Sequence, residues 1–300
     1  MEKDLLDFLK VNEVEYKENV ETKHFSPIKI GGIADIVIYP DSESKMISAL
    51  NFLSGNEICY KVIGKTSNVL FPDNKIATVL IKSDKLRGFD ILDDGVMKFS
   101  AGESLLANAR KLASLGIGGI SELCGIPGSI GGLVRNNAGA FGKEIGELVK
   151  FVSVYSPAER QIIRFTNRDI SFAYRSSKLK SQDFVILSAE LKLPYDLSTS
   201  YILGEIEKYK NLRRVSQPID KPSLGSVFKR PPCDFAARLI DESGLKGFSI
   251  GGAEVSKKHA GFIVNNGNAT SNDFRALSNH VKQTVFARHG VQLEEEIEFL

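Results

Sequence analysis

The segment from 125 to 142 constrains the fold more than any other part of this 300-residue chain, because six of its eighteen residues are glycine. Glycine costs backbone order and offers no packing surface, so folded domains use it where the main chain adopts unusual dihedral angles or approaches a ligand closely. Apolar residues such as Ile126 and Phe141 distinguish the segment from a flexible Gly/Ser linker. Ser129 and Asn137 add polar groups. The segment therefore predicts a backbone-lined site for a polar ligand.

Neither of the two common nucleotide fingerprints fits the chain. The glycines of the 125–142 segment do not have the G-x-G-x-x-G spacing that opens a dinucleotide-binding helix. The run from 64 to 66 resembles the end of a P-loop, but the first glycine of that motif would fall at Cys59. The turn from 64 to 68 nevertheless lies between two apolar, strand-like runs, where successive N–H groups could hold a pyrophosphate. An ordinary turn would explain it equally well.

Length, charge and cysteine usage exclude several classes of protein. A chain of 300 residues can bury a large core and is expected to divide into two or three domains. A formal net charge of +2 argues against a nucleic-acid binder. The lack of a long apolar run argues against a membrane protein, so we expect a cytoplasmic protein. We also expect no obligate protein partner. Three scattered cysteines and four unclustered histidines predict neither a disulfide framework nor a metal site.

Hydrophobic periodicity predicts a chain that mixes helices with strands. Strands are expected at 36–39, 60–63, 78–81, 97–99, 148–155, 161–165, 184–193 and 291–299. Helices are expected at 41–52, 103–115, 198–214 and 234–243, and from about 270 to Gly290. The main boundary between domains is placed at 194–198, where a strand gives way to a helix.

Three polar residues are costly for folding alone. Arg175 puts a permanently charged, planar donor between Tyr174 and two serines, and Ser226 follows Gly225 where the pattern enters a strand. Glu296 lies in an alternating run whose glutamates share one face, so a solvated strand edge explains it without any function.

A basic stretch between 205 and 230 contains seven basic and three acidic side chains. This balance favours a small polyphosphate or carboxylate ligand. A solvated helix face explains Lys208 and Lys210 better. The candidates for binding such a ligand are Arg213, Arg214, Lys229 and Arg230.

Seven phrases in order, spread over nearly the whole chain, resemble the UDP-N-acetylenolpyruvoylglucosamine reductase family, which are flavoproteins of peptidoglycan precursor synthesis. The phrases lie at 29–35, 67–70, 125–132, 137–142, 174–177, 225–229 and 247–265. The last contains Ser256-Lys257-Lys258-His259-Ala260-Gly261. The interval from Arg175 to Ser226 is short, as in the branch of the family that lacks the substrate-covering insertion and its mobile tyrosine.

The resemblance implies an α+β fold with a two-lobed, PCMH-type FAD-binding domain followed by a smaller α+β substrate-binding domain. The implied bounds are 1–84 for the first FAD-binding lobe, 85–197 for the second and 198–300 for the substrate-binding domain. It implies bound FAD, with cofactor contacts from Gly64, Lys65, Thr66, Ser67, Asn68, Gly125, Pro127, Gly128, Ser129, Gly131, Gly132, Asn137, Ala138 and Gly139.

The same resemblance implies an enzyme that uses NADPH as co-substrate and no metal. NADPH would reduce the flavin, and hydride from flavin N5 would then pass to the enolpyruvyl group of a UDP-sugar to give UDP-N-acetylmuramate. Arg175 would stabilise the developing anion and Ser226 would donate the proton, while Glu296 would help to polarise the substrate carboxylate.

Four residues depart from the family pattern. Thr66 stands where the family more usually has a glycine-like residue, Arg135-Asn136 replace a typical Tyr-Met, and Arg230 replaces an asparagine found in many members. Two alternatives stay open at this point. One is a flavin oxidase of the same FAD-binding superfamily that acts on another substrate, and the other is a noncatalytic nucleotide-sugar sensor, which would have no need of the three candidate catalytic residues.

Overall fold

The computed structural model describes residues 2–93, 95–180, 183–232 and 234–300. Within these residues the α-helices are α1 (Glu2–Val11), α2 (Glu43–Gly55), α3 (Leu105–Ser114), α4 (Ile130–Arg135), α5 (Asn167–Ile170), α6 (Thr199–Ser216), α7 (Ala236–Glu242) and α8 (Ser271–His289). The strands are β1 (Glu15–Glu21), β2 (Ile33–Tyr39), β3 (Tyr60–Ile63), β4 (Val69–Leu70), β5 (Val79–Lys82), β6 (Phe89–Asp93), β7 (Val96–Ser100), β8 (Gly139–Ala140), β9 (Lys143–Glu144), β10 (Val149–Ser156), β11 (Gln161–Thr166), β12 (Val185–Lys192), β13 (Ser223–Ser226), β14 (Ser249–Ile250), β15 (Ala253–Val255), β16 (Phe262–Asn265) and β17 (Glu298–Phe299).

The first of two compact units is assembled from the residues up to Glu18, Ile36–Lys65 and Thr78–Lys210. Strands β2, β5 and β3 pair in parallel in that order. Strands β11, β10, β12, β7 and β6 form an antiparallel sheet in that order. The core of this unit includes the fully buried Phe99 and Tyr155. Short strands β8 and β9 form a separate hairpin.

The second unit combines Asn19–Asp35 and Thr66–Ala77 with Asn211–Leu300. Strands β13, β16, β15 and β14 form an antiparallel sheet in that order, and β17 pairs in parallel with β4. Its core packs Ile28 and Leu70 with residues from the end of the chain, among them Phe274. Two short early segments of the chain therefore complete a core built mainly by its last ninety residues.

The α+β class and most of the predicted elements are confirmed. Helices α2, α3, α6 and α7 correspond to the predicted ranges 41–52, 103–115, 198–214 and 234–243. Helix α8 is followed by its C-cap Gly290, which has the left-handed backbone conformation. The final strand at 291–299 was predicted too long, since only Glu298–Phe299 is strand and Glu295 makes one isolated bridge. The alternating pattern there reflects burial of Leu293 and Ile297 in a largely irregular segment.

Helix α4 inside the glycine segment was not predicted, because two of its six residues are glycine, a poor helix former. Tertiary packing explains it. Ser129 accepts a hydrogen bond from the Gly132 N–H at 3.4 Å and so caps the helix. A Cβ on Gly131 would lie 3.2 Å from the Cβ of Ala101, so the bare backbone lets the helix approach the chain after β7.

The predicted bounds of three domains at 84 and 197 stay predictions, since both units are built from several segments of the chain. None of the helices in the described residues is long and apolar enough to cross a membrane.

Candidate active site

In the first unit, the turn that begins at Gly64 packs against the glycine segment. A Cβ on Gly64 would lie only 2.2 Å from Oγ of Ser129, so any other residue would displace the hydroxyl that caps α4. The buried Lys82 donates from Nζ to the Gly64 carbonyl at 3.4 Å. Because a trans peptide directs its C=O and N–H in opposite directions, the Lys65 N–H points away from Lys82. The structure thus brings together two segments that the sequence singled out separately.

The remaining predicted cofactor residues of the glycine segment differ in exposure. Gly128 and Ser129 are buried, Gly125, Gly131, Ala138 and Gly139 are half-buried, and Pro127 and Gly132 are exposed. The Ile130 and Gly131 N–H groups donate to Glu103 and Ala101 carbonyls at 2.8 Å. These two donors at the start of α4 are therefore used within the protein. Contacts of this segment with a flavin stay predictions.

The second half of the predicted turn belongs to the second unit. Thr66 has a φ of 54°, the left-handed region that favours glycine, which accounts for the glycine-like residue of related sequences. Its Oγ1 donates to the Phe25 carbonyl at 2.9 Å. Asn68 donates from Nδ2 to the Glu296 carbonyl at 3.0 Å. Ser67 is half-buried and makes no hydrogen bond to any residue in the described part of the chain.

Arg175 occupies a tight turn in the first unit. The N–H and C=O groups of Ala173 and Ser176 bond each other at 3.0 Å, which leaves Tyr174 and Arg175 as the central residues. Arg175 has a φ of 52°, at the turn position where glycine is preferred. Such strain costs about 1–2 kcal/mol and persists where the surroundings hold it, often at functional sites. Its Nη2 donates to the Gly139 carbonyl at 2.9 Å.

Asn137 has a structural function that the sequence did not indicate. Its side chain is buried, and both amide protons are donated within the protein, to Glu144 Oε2 at 2.7 Å and to the Ala173 carbonyl at 3.0 Å. Its Oδ1 accepts from the Gly146 N–H at 3.0 Å. The Asn137 N–H is also committed, to the Val134 carbonyl at 3.2 Å. The side chain of Asn137 therefore ties the glycine segment to the Arg175 turn, and contact of Asn137 with a cofactor stays a prediction.

Ser226 and Glu296 lie on paired segments of the second unit. The Glu296 N–H donates to the Val227 carbonyl at 2.8 Å, and the Lys229 N–H donates to the Glu294 carbonyl at 2.8 Å. Ser226 is the last residue of strand β13, where it pairs with Phe262 of β16. The register of this pairing shifts between Ser223 and Ser226, and Gly225 there has a φ of 81°. Its side chain is exposed, and its hydroxyl has no hydrogen-bond partner among the described residues.

The predicted diphosphate-binding residues also belong to the second unit, in different environments. Burial lowers the pKa of the Arg213 guanidinium, whose Nη1 donates to Gln217 at 3.4 Å. Arg214 is exposed, and Lys229 pairs with Glu294 at 3.0 Å. The Arg230 guanidinium lies over the Phe235 ring, 4.5 Å from its centroid. Their function in substrate binding stays a prediction.

A cavity of about 520 Å³ in the second unit contains none of the predicted site residues. Lys23, Lys29, Gly31 and Asn265 contribute to its walls. The two serines that follow Arg175 line another depression, in the first unit. The cavity in the second unit therefore does not mark the residues that sequence reasoning selects.

Glu144 is the charged residue of this region that the sequence reasoning missed. It follows the glycine segment closely, but its partners are seven and thirty-one positions away. No local pattern predicts such a contact, because it depends on the β8–β9 hairpin and the Arg175 turn meeting in three dimensions.

Comparisons with known proteins agree with this architecture. Residues 34–163 match an FAD binding domain family, and residues 217–300 match the UDP-N-acetylenolpyruvoylglucosamine reductase C-terminal domain. The chain is 37% identical over 98% of its length to the reductase of that name from Caldicellulosiruptor bescii, covering 93% of that protein. It is 39% identical over 94% of its length to the one from Carboxydothermus hydrogenoformans, again covering 93%.

The crystal structure of the reductase from Thermus caldophilus superposes with a TM-score of 0.79 at 28% identity, covering 95% of this chain and 98% of that one. The predicted order of an FAD-binding domain followed by a reductase C-terminal domain is confirmed. Because the chain is 37% and 39% identical to these two reductases over nearly its full length, it belongs to the UDP-N-acetylenolpyruvoylglucosamine reductase family.

Proposed function

We propose that this protein is an FAD-containing, NADPH-dependent oxidoreductase that reduces the enolpyruvyl ether of UDP-N-acetylglucosamine to UDP-N-acetylmuramate, a precursor of peptidoglycan. The observation that carries the proposal is the pairing of the Ser226 and Glu296 segments in the second unit, in a chain that belongs to this family. Both co-substrates are nucleotides of the cell interior, so we place the activity in the cytoplasm.

The residues present fit a bound dinucleotide. Ser67, in the turn after Lys65, keeps its hydroxyl and N–H uncommitted among the described residues, and a turn of successive N–H groups suits a pyrophosphate. Within the first unit, Gly64 lies against Ser129 without a clash. Bound FAD supplies a hydride carrier, which no side chain can provide.

Arg175 stabilises the anion that develops when hydride is added to the alkene of the substrate. The guanidinium is always charged and can bind a carboxylate through two parallel N–H groups. The bond from Nη2 to the Gly139 carbonyl fixes one edge of the group before substrate arrives. A fixed donor stabilises developing charge without reorganisation, which is the largest contribution in many active sites.

Ser226 donates the proton that completes the reduction. A serine hydroxyl is a weak acid, but the carbanion next to a carboxylate is a strong base, so a positioned hydroxyl suffices. The exposed position at the end of β13 leaves the hydroxyl able to rotate toward a ligand. Glu296, whose backbone is held by Val227 and Asn68, would polarise the substrate carboxylate and must be protonated or hydrogen-bonded to do so.

The diphosphate of the substrate would be bound by basic residues of the second unit. The half-buried Arg213 and the exposed Arg214 and Arg230 are the principal candidates. Lys229 already pairs with Glu294, so its charge is partly compensated and its contribution would be smaller.

An anaerobic stopped-flow experiment tests the proposal. The purified protein is reduced with NADPH and then mixed with UDP-N-acetylglucosamine enolpyruvate, while flavin absorbance is recorded. We expect rapid reoxidation and formation of UDP-N-acetylmuramate, and none with UDP-N-acetylglucosamine, which has no alkene to reduce. Reoxidation by oxygen alone would instead identify a flavin oxidase, and protein that takes up no FAD would refute the proposal altogether.

A further inference from the structure

The carboxylate of Glu144 joins two groups of the first unit that are distant in sequence. One oxygen, Oε2, accepts from Asn137 Nδ2 at 2.7 Å. The other, Oε1, lies 3.7 Å from Nη1 of Arg175. The side chains of Glu144 and Arg175 are 32% and 17% exposed, so solvent screens this ion pair only partly.

The β8–β9 hairpin contacts the Arg175 guanidinium from both of its strands. Gly139 in β8 supplies the carbonyl that accepts from Nη2 at 2.9 Å, and Glu144 in β9 supplies the carboxylate facing Nη1. Gly139 and Glu144 are also directly paired across the hairpin. A Cβ on Gly139 would lie 2.7 Å from the Lys143 carbonyl, so the hairpin cannot close this tightly with a larger residue.

We propose that Glu144 is a positioning residue, which holds the guanidinium of Arg175 in the orientation required to stabilise the substrate anion. The inference rests on the proposed function for its kinetic consequence, but the positioning itself is independent of the substrate. Glu144 does not touch the reacting atoms. It acts by restricting Arg175, while Asn137 fixes the carboxylate and, through the Ala173 carbonyl, the turn that carries Arg175.

Restriction matters because an arginine side chain has four rotatable bonds and loses rotamer freedom when it is ordered. In the same conformation the guanidinium lies 5.0 Å from the centroid of the Tyr174 ring, a contact that has no fixed direction in the plane of the guanidinium. A hydrogen bond to one carbonyl still allows rotation about that bond. A second anchor at Nη1 removes this freedom, and a misplacement of about 1 Å at a reacting centre can cost about 10²-fold in rate.

The kinetic test compares Glu144→Gln with Glu147→Gln. Glu147 is exposed, lies in the same segment and accepts from the Glu144 N–H at 2.7 Å, a bond that glutamine can keep, so it is the matched control. We expect Glu144→Gln to slow reoxidation by the enolpyruvyl substrate about 10- to 100-fold, with reduction by NADPH within about twofold of wild type. In an Arg175→Ala background, Glu144→Gln should cause no further loss, because the two residues act as a unit.

A second measurement decides the positioning without substrate. The Arg175 side-chain N–H resonances are assigned by their loss in Arg175→Lys, and the rotation rate of the guanidinium is measured by NMR. We expect faster rotation in Glu144→Gln than in wild type or Glu147→Gln. Unchanged rotation and an unchanged rate would overturn the inference. Faster rotation in a protein that does not turn over the enolpyruvyl substrate would uphold the positioning and refute the proposed function.

Discussion

The two units bear backbone strain differently at their candidate catalytic residues. In the first unit Arg175 itself has a φ of 52°. In the second unit the left-handed position is Gly225, with a φ of 81°, and Ser226 follows it without strain. The strained arginine is surrounded by hydrogen-bond partners, whereas the hydroxyl of Ser226 has no such partner among the described residues.

The difference follows from what each group must do. A charge stabilises a developing anion effectively only if it is already in place. Surrounding contacts that hold such a charge in place can also hold its residue in a strained backbone conformation. A hydroxyl that transfers a proton must instead rotate between the free and the reacting geometry, and glycine provides the required bend at no steric cost. Substitutions in the two units should therefore have different effects, because Arg175 must be held in place and the Ser226 hydroxyl must be able to rotate.

The largest expected effect is on proton donation by Ser226. We predict that Ser226→Ala lowers turnover of the enolpyruvyl substrate by about 10²- to 10⁴-fold, the range typical of general acid catalysis, while NADPH still reduces the flavin. Ser223→Ala, at the other end of β13, is the control. Stopped-flow absorbance separates the two half-reactions. A variant that turns over substrate at the wild-type rate would assign the proton to water or to another residue.

Two buried asparagines allow a matched comparison of stability. Asn265 in the second unit donates to the Ile28 carbonyl at 2.9 Å and accepts from the Gly267 and Ala269 N–H groups, as Asn137 makes three bonds in the first unit. Replacing either asparagine by alanine leaves buried hydrogen-bonding groups unsatisfied and should lower the free energy of unfolding by about 2–4 kcal/mol.

Urea unfolding measures that cost, and the half-reactions distinguish the two sites. Only Asn137→Ala should also slow substrate reduction in the fraction that stays folded, because only Asn137 is bonded to the Arg175 turn. Equal kinetic loss in Asn265→Ala would show that order in the first unit has no special importance for the chemistry.

A smaller effect tests the strain at Arg175 directly. Arg175→Ala and Arg175→Gly both lose the guanidinium, but only glycine relieves the left-handed backbone. We predict that the glycine variant is more stable than the alanine variant by about 1 kcal/mol. Gly225→Ala should show the same preference for glycine by losing about 1 kcal/mol, because a Cβ there meets no atom within 4 Å and only the backbone is strained. Thermal unfolding of the three variants checks both signs.

The smallest effect concerns the support of the Ser226 segment. The Val227 N–H donates to the Gly261 carbonyl, and the Gly261 N–H donates to Nδ1 of His259 at 3.1 Å, which requires a neutral imidazole. Burial lowers the pKa of His259 below its usual value of 6.5. As the pH falls, His259 is therefore protonated in the unfolded state before it is protonated in the folded state. The free energy of unfolding should decrease as the pH falls below about 6.5.

The urea midpoint measured at pH 7.5 and 5.5 tests this. In His259→Gln the amide oxygen can still accept from Gly261, but it does not titrate, so the decrease between the two pH values should be smaller than in wild type. An identical decrease in both proteins would show that His259 has no part in it.

Local patterns predicted much of the fold and part of the candidate site. Helices α2, α3, α6 and α8 follow from apolar periodicity and from capping residues such as Ser42 and Thr270. Arg175 and Ser226 stood out because a charge and a hydroxyl next to turn residues are costly without a function. The last strand was predicted too long, because alternation in burial does not require a partner strand along its whole length.

The sequence by itself determined the α+β class and, by resemblance, the family, whereas the glycine segment as a ligand-facing backbone stays a prediction. These depend on residue types and short spacings, which are properties of the chain read locally. The tertiary structure alone decided that Asn137 and Glu144 hold Arg175, and that Ile28 and Leu70 belong to the core of the second unit. Such contacts join residues far apart in sequence, and they form only when packing of the apolar core has brought their segments together.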